Sequence, residues 1–148
     1  MRSIGIALVV AVAAGAVTSA QKNPYLRYTE EKFVDNKLTA DRNYAAVKTF
    51  TAGADYASAK AQLTRAREQM AITITFWRDA NNDAAVAMLR KTLTSMDTLD
   101  VLMSAEKIDA AGVTSAVAQI DQTCTACHAA YREQDPATNS YRVRRSSR

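Results

Sequence analysis

DAAGVTSAVAQIDQTCTACHAAYREQDP, residues 109–136, carries one continuous apolar seam. Val113, Val117, Ile120, Cys124, Cys127 and Tyr131 follow at spacings of 4, 3, 4, 3 and 4, the period of one face of an α-helix. Asp109 supplies the short acceptor side chain of an N-cap, with Ala110-Ala111 in the first turn. Asp135-Pro136 closes the run, because proline lacks an amide donor and restricts the residue before it. A helix apolar along a single stripe must be covered by other elements.

Working outward, the same stripe recurs. Over 55–78, Tyr56, Ala59, Leu63, Ala66, Met70, Ile74 and Trp77 predict one helix, with Arg65, Arg67 and Glu68 off its apolar face. Asn81-Asn82-Asp83 breaks the pattern and caps the next helix. Over 83–105, Ala85, Leu89, Thr92, Met96, Leu99 and Met103 repeat the spacing, widened by Val86, Leu93 and Leu102. Residues 29–52 are expected to form one helix ending at Gly53, with Thr39 as the place where it would break. Phe33, Tyr44 and Val47 suggest one face there; Val34, Leu38 and Ala45 suggest another. No strand-period segment and no internal repeat stand out. Two prolines, four glycines and abundant alanine agree with an all-α chain. Four amphipathic helices with short connections bury their stripes most simply as an antiparallel four-helix bundle over 29–135.

The terminal seam runs into Cys124-Thr125-Ala126-Cys127-His128, which holds the only two cysteines and the only histidine of 148 residues. Cys-x-x-Cys-His is the pattern of covalent c-type haem attachment: two thiols form thioethers and the next imidazole ligates the iron. A zinc site needs four ligands, which this chain does not have. A thioredoxin-like dithiol expects a βαβ context, and a disulfide across two residues would close too small a loop to stabilise much. Both thiols share the buried stripe, so haem c, one per chain and covalent, is expected against the bundle core, in a C-terminal haem-attachment motif.

The N-terminus reads as an export signal. Arg2 is followed by the apolar run Ile4 to Val17 and the small-residue site Thr18-Ser19-Ala20, so residues 1–20 are expected to be cleaved. The run has 14 residues, short of the roughly 20 that span a bilayer. A periplasmic location fits haem attachment and committed thiols. The formal charge of +4 resides at the ends: residues 21–141 carry 14 basic and 15 acidic groups. Residues 21–28 read as a flexible N-terminal segment and 136–148 as a basic flexible tail. That tail is either a solvated end or a dock for an acidic partner or anionic lipid.

The placement of the motif resembles the cytochrome c-prime family. In common small cytochromes c the motif lies near the mature N-terminus with a methionine ligand downstream. Here 20 residues follow His128, none of them methionine. Cys124 through Arg132 is similar to that family's Cys-x-x-Cys-His-x-x-Tyr/Phe-Arg signature, and Asp55-Tyr56-Ala57-Ser58-Ala59-Lys60 is similar to the start of its second helix. The resemblance extends over 29–134, with its specific residues in 120–132. It implies thioethers at Cys124 and Cys127, His128 as proximal ligand, and Arg132 close to the proximal face, where its charge would raise the iron potential. Arg132 is also readable as a helix-end residue favoured by the helix dipole. Counting back by the family's spacing brings Leu38 to the distal side, which would leave the iron five-coordinate and the pocket dry; Leu38 is equally readable as core. Met70, Met88, Met96 and Met103 fit the stripes and read first as core.

The resemblance implies one-electron redox and binding of small gases, nitric oxide or carbon monoxide. Two alternatives stay open: a methionine-ligated low-spin electron carrier serving periplasmic redox partners, and a haem-bearing subunit or sensor. A homodimer is consistent with the family. A catalytic role is not expected: no glycine-rich phosphate loop, no His-x-x-x-His pair and no spare histidine occur. Glu30-Glu31 and Asp97/Asp100 read as solvated helix faces, Asn81-Asn82-Asp83 is too short for a calcium loop, and nothing indicates nucleic-acid recognition.

Overall fold

The computed structural model describes residues 28–144. The expected signal peptide, residues 21–27 and the last four residues of the tail lie outside them. Five helices follow in order: α1 (Glu30–Ala52), α2 (Tyr56–Ile72), α3 (Ile74–Asp79), α4 (Asp83–Met103) and α5 (Ala110–Tyr131). Because α3 continues α2 after a single residue, the architecture is an all-α four-helix bundle. α1 packs on α2, α2 on α4 and α4 on α5, while α1 and α5 touch sparingly.

Four of the five helices, all but α3, start at a side-chain cap. Thr29, Asp55, Asn82 and Asp109 accept from the amides of Lys32, Ser58, Ala85 and Ala111 at 3.0–3.3 Å, satisfying donors that the first turn leaves unpaired. α1 runs unbroken through Thr39. The break falls instead at Thr73, inside the stripe expected to be continuous. Thr73 is fully buried, and both its hydroxyl (2.6 Å) and its amide (3.1 Å) donate to the Met70 carbonyl. That i→i−3 pairing tightens the turn and separates α3, which carries Phe76 and Trp77 into the core.

The core is the union of the expected stripes: Val47, Ala59, Leu63, Trp77, Ala85, Met96, Leu99 and Ile120 are all at most 1% exposed. Along α5 the most buried line is Val113, Ala116, Ile120, Thr123 and Tyr131, rotated slightly from the expected seam. Val117, Cys124 and Cys127 therefore lie on the flank, half-buried against the core.

The chain end departs from expectation. α5 ends at Tyr131 rather than at Asp135-Pro136, and a hairpin follows: β1 (Arg132–Gln134) pairs antiparallel with β2 (Tyr141–Val143). Its turn is closed by the Asp135 amide on the Ser140 carbonyl and by Asn139 in the left-handed region, φ 59°. The returning strand then ties down both ends of the bundle's mouth. The Arg144 amide donates to the Tyr131 carbonyl at 2.8 Å, and its guanidinium donates to the Ala130 carbonyl at 3.1 Å, so the open end of α5 is capped. The Val143 amide donates to Glu30 at the start of α1. Two three-residue strands are too short to show a period, which is why the sequence read as helix and tail.

Candidate functional site

Sparse α1–α5 packing leaves a cleft of about 610 Å³, mouth included. α1 contributes Phe33, Val34, Lys37, Leu38 and Asp41; α5 contributes Cys127, His128 and Tyr131. Trp77 and Leu89 form the floor, and the hairpin residues Arg132, Tyr141, Arg142 and Val143 form the remaining wall. At the other end of the α1–α5 seam, the Tyr44 hydroxyl donates to the Val117 carbonyl at 2.9 Å, and burial keeps that phenol protonated.

Cys127, His128, Arg132 and Leu38 thus line one cavity. Cys124 lies one turn earlier on α5, off the lining but half-buried. Both thiols are unpaired, and burial pushes both upward, which keeps them protonated. Burial likewise pulls His128 down to about 4, helped by the positive charges of Lys37 and Arg132 and opposed by Asp41. At neutral pH the imidazole is therefore uncharged and keeps a lone pair for a metal.

Arg132 lies beside that ring. Its Nη1 is 3.4 Å from His128 Nδ1, and its guanidinium carbon is 3.8 Å from the Tyr141 ring centre, a cation–π stack. A guanidinium only donates, so in this arrangement Nδ1 accepts and Nε2 carries the proton. Leu38 is 52% exposed, so it belongs to the cavity rim rather than to the core. None of Met70, Met88, Met96 and Met103 lines the cavity; the first, third and fourth are buried core and Met88 packs against it.

Three participants escaped the sequence reading. Lys37 faces inward from the α1 seam at four residues from Phe33 and three from Ala40, a spacing that would have revealed it. Trp77 was read as core, and it is; but it also lines the cavity, and its buried Nε1–H has no acceptor. The hairpin wall had no sequence signal. Among the described residues no three His, Cys, Asp or Glu side chains gather to hold a metal ion. None of the described helices is long and apolar enough to cross a membrane.

No protein-family model matches this chain, and neither a curated protein nor a solved structure matches it.

Proposed function

We propose that the chain is an exported monohaem c-type cytochrome of the cytochrome c-prime type. Its task would be one-electron redox, binding of small gases such as nitric oxide or carbon monoxide, or both. One observation carries the reading: the only histidine and Cys127 of the Cys-x-x-Cys-His run border the same largely apolar cleft, with Cys124 one turn behind.

The residues present suit the group. The cleft runs from the α1 wall at Phe33, Val34 and Leu38 to the α5 wall at Cys127 and His128. Its walls are mainly hydrocarbon and aromatic, as a porphyrin requires. Protonated thiols are the species that add across vinyl double bonds: sulfur bonds one carbon, the thiol hydrogen goes to the other, and no oxidant is needed. The orphaned Trp77 Nε1–H supports the reading too, because an unpaired buried donor is costly and a bound acceptor would satisfy it. Cys124 and Cys127 would hold the group and His128 would ligate the iron. The haem itself supplies the redox and gas chemistry.

The chain's own residues set the conditions. Burial keeps His128 neutral and available. Ligation through Nε2 would leave the proton on Nδ1, where a guanidinium cannot accept it; Arg132 would then turn from the ring and retain its stack on Tyr141. The aromatic side chains of Phe33, Trp77 and Tyr131 along the lining would exclude water. The methionine-ligated alternative is less favoured, because none of Met70, Met88, Met96 and Met103 borders the cleft.

The test is to mature the protein in a periplasm competent for haem attachment. A mass raised by one haem that survives denaturation is expected, with a reduced spectrum that shifts under carbon monoxide. Colourless protein with two alkylatable thiols would sink the proposal. A coloured protein whose low-spin reduced spectrum ignores carbon monoxide would shift the assignment to the electron carrier.

A further inference from the structure

Lys37 holds an apolar position of α1. Phe33, Ala40, Tyr44 and Val47 are that helix's buried residues, and 33, 37, 40, 44 and 47 step by 4, 3, 4 and 3. Lysine stems usually carry the ammonium out to water. Here the side chain is only 16% exposed and borders the cleft. Its partners are modest for a charge so placed: Asp41 at 3.5 Å, itself 44% exposed, and the Met70 sulfur, a weak acceptor, at 3.6 Å. Three donors are thus served by one long ion pair and one thioether. Its positive charge reaches across the cleft and is felt at His128 and at both thiols.

α1 is the wall facing α5. A group held from Cys124, Cys127 and His128 would face α1 across the cleft. Of the α1 residues on the cleft, Phe33, Val34 and Leu38 are hydrocarbon, Asp41 is anionic, and Lys37 alone offers N–H donors. Leu38, the aliphatic residue expected to keep this side dry, turns half outward while its neighbour turns in. Arg132 and Arg142 also border the cleft, so three cations stand against the single carboxylate of Asp41.

We propose that Lys37 makes the α1 side of the cleft selective for small monovalent anions, its ammonium donating a hydrogen bond and opposite charge to an anion bound at the ferric iron. The inference rests on the haem reading and changes its ligand class: an aliphatic distal wall rejects anions, and a cationic one recruits them. An incoming anion would compete with Asp41 for the ammonium. No bond beyond the anion's own coordination forms, and no electron moves.

The experiment is a spectral titration of the oxidised holoprotein with azide and with fluoride, beside carbon monoxide titration of the reduced form. Lys37→Leu is expected to weaken azide roughly tenfold or more, the loss of one charge-assisted hydrogen bond, while carbon monoxide affinity changes little. Lys37→Arg, which keeps the charge, is expected to hold most of the azide affinity. Lys37→Met, a good helix former, serves if Lys37→Leu does not fold, as judged by far-ultraviolet circular dichroism. Equal azide affinity in wild type and the apolar variants overturns the proposal. So does an oxidised wild-type spectrum that is low-spin and becomes high-spin on substitution, since Lys37 would then be an iron ligand. Coloured protein indifferent to anions sinks only this inference; colourless protein sinks the haem reading with it.

Discussion

The uncharged state of His128 has a thermodynamic consequence in the cofactor-free chain. Its folded value of about 4 lies below the ordinary 6.5, so the unfolded chain binds the proton more readily. The stabilising contribution is complete above about pH 6.5 and is lost as pH falls toward 4. The ring is half-buried, so solvent screening trims the effect to roughly 2 kcal/mol or less. Urea titrations of the cofactor-free protein across that window should show the slope, and His128→Gln should flatten it. Cys127→Ala leaves a single thiol; if haem is attached as proposed, denaturing electrophoresis should then show weaker covalent retention than in wild type. Substituting Leu99, fully buried, by alanine should cost about 2–5 kcal/mol in chemical denaturation without altering haem stoichiometry.

Among the elements, the hairpin and the α2–α3 break matter most. β2 closes a wall of the cleft, and Arg144 caps α5 through the carbonyls of Ala130 and Tyr131. Arg144→Ala removes only the guanidinium bond and should lower stability by about 0.5–1.5 kcal/mol in thermal or urea unfolding. Truncation after Gln134 removes the wall as well; on the proposed haem reading, azide or carbon monoxide should then dissociate faster than from wild type, measurable by flash photolysis or stopped flow. The break at Thr73 sets the angle at which Phe76 and Trp77 enter the core, Trp77 reaching the cleft floor. Phe33, Phe76 and Trp77 form a cluster with ring centres 4.5–5.5 Å apart, and Tyr131 joins it at 4.8 Å from Trp77. α3 thereby packs the aromatic floor against the very turn of α5 that follows His128.

For the molecule as a whole, the uneven helix packing predicts uneven stability. α1 is held by α2 along its length but meets α5 little, and the cleft opens between them. In the cofactor-free chain, amides of the first half of α1 and of the hairpin should exchange with deuterium faster than those of α4, and a haem held as proposed should protect them. Equal protection in both forms would argue against the cleft as the occupied site. Legible in the chain alone were three amphipathic stripes, a helix over 29–52 whose buried face stayed open, the caps at Asn82 and Asp109, and the grouping of both cysteines with the histidine on the last helix. Those features are local: helical period and capping chemistry act within a few residues. Packing made Thr73 the break in the second stripe: buried away from water, its hydroxyl turns back onto the Met70 carbonyl three residues earlier. The same holds for the hairpin, whose short strands persist through contacts with Tyr131 and Glu30, one of them more than a hundred residues away in the chain. Lys37 is the sharpest case: its spacing put it on the seam, but an inward ammonium is tolerated there because α1 and α5 part to leave a cleft, and no local rule of sequence specifies that separation.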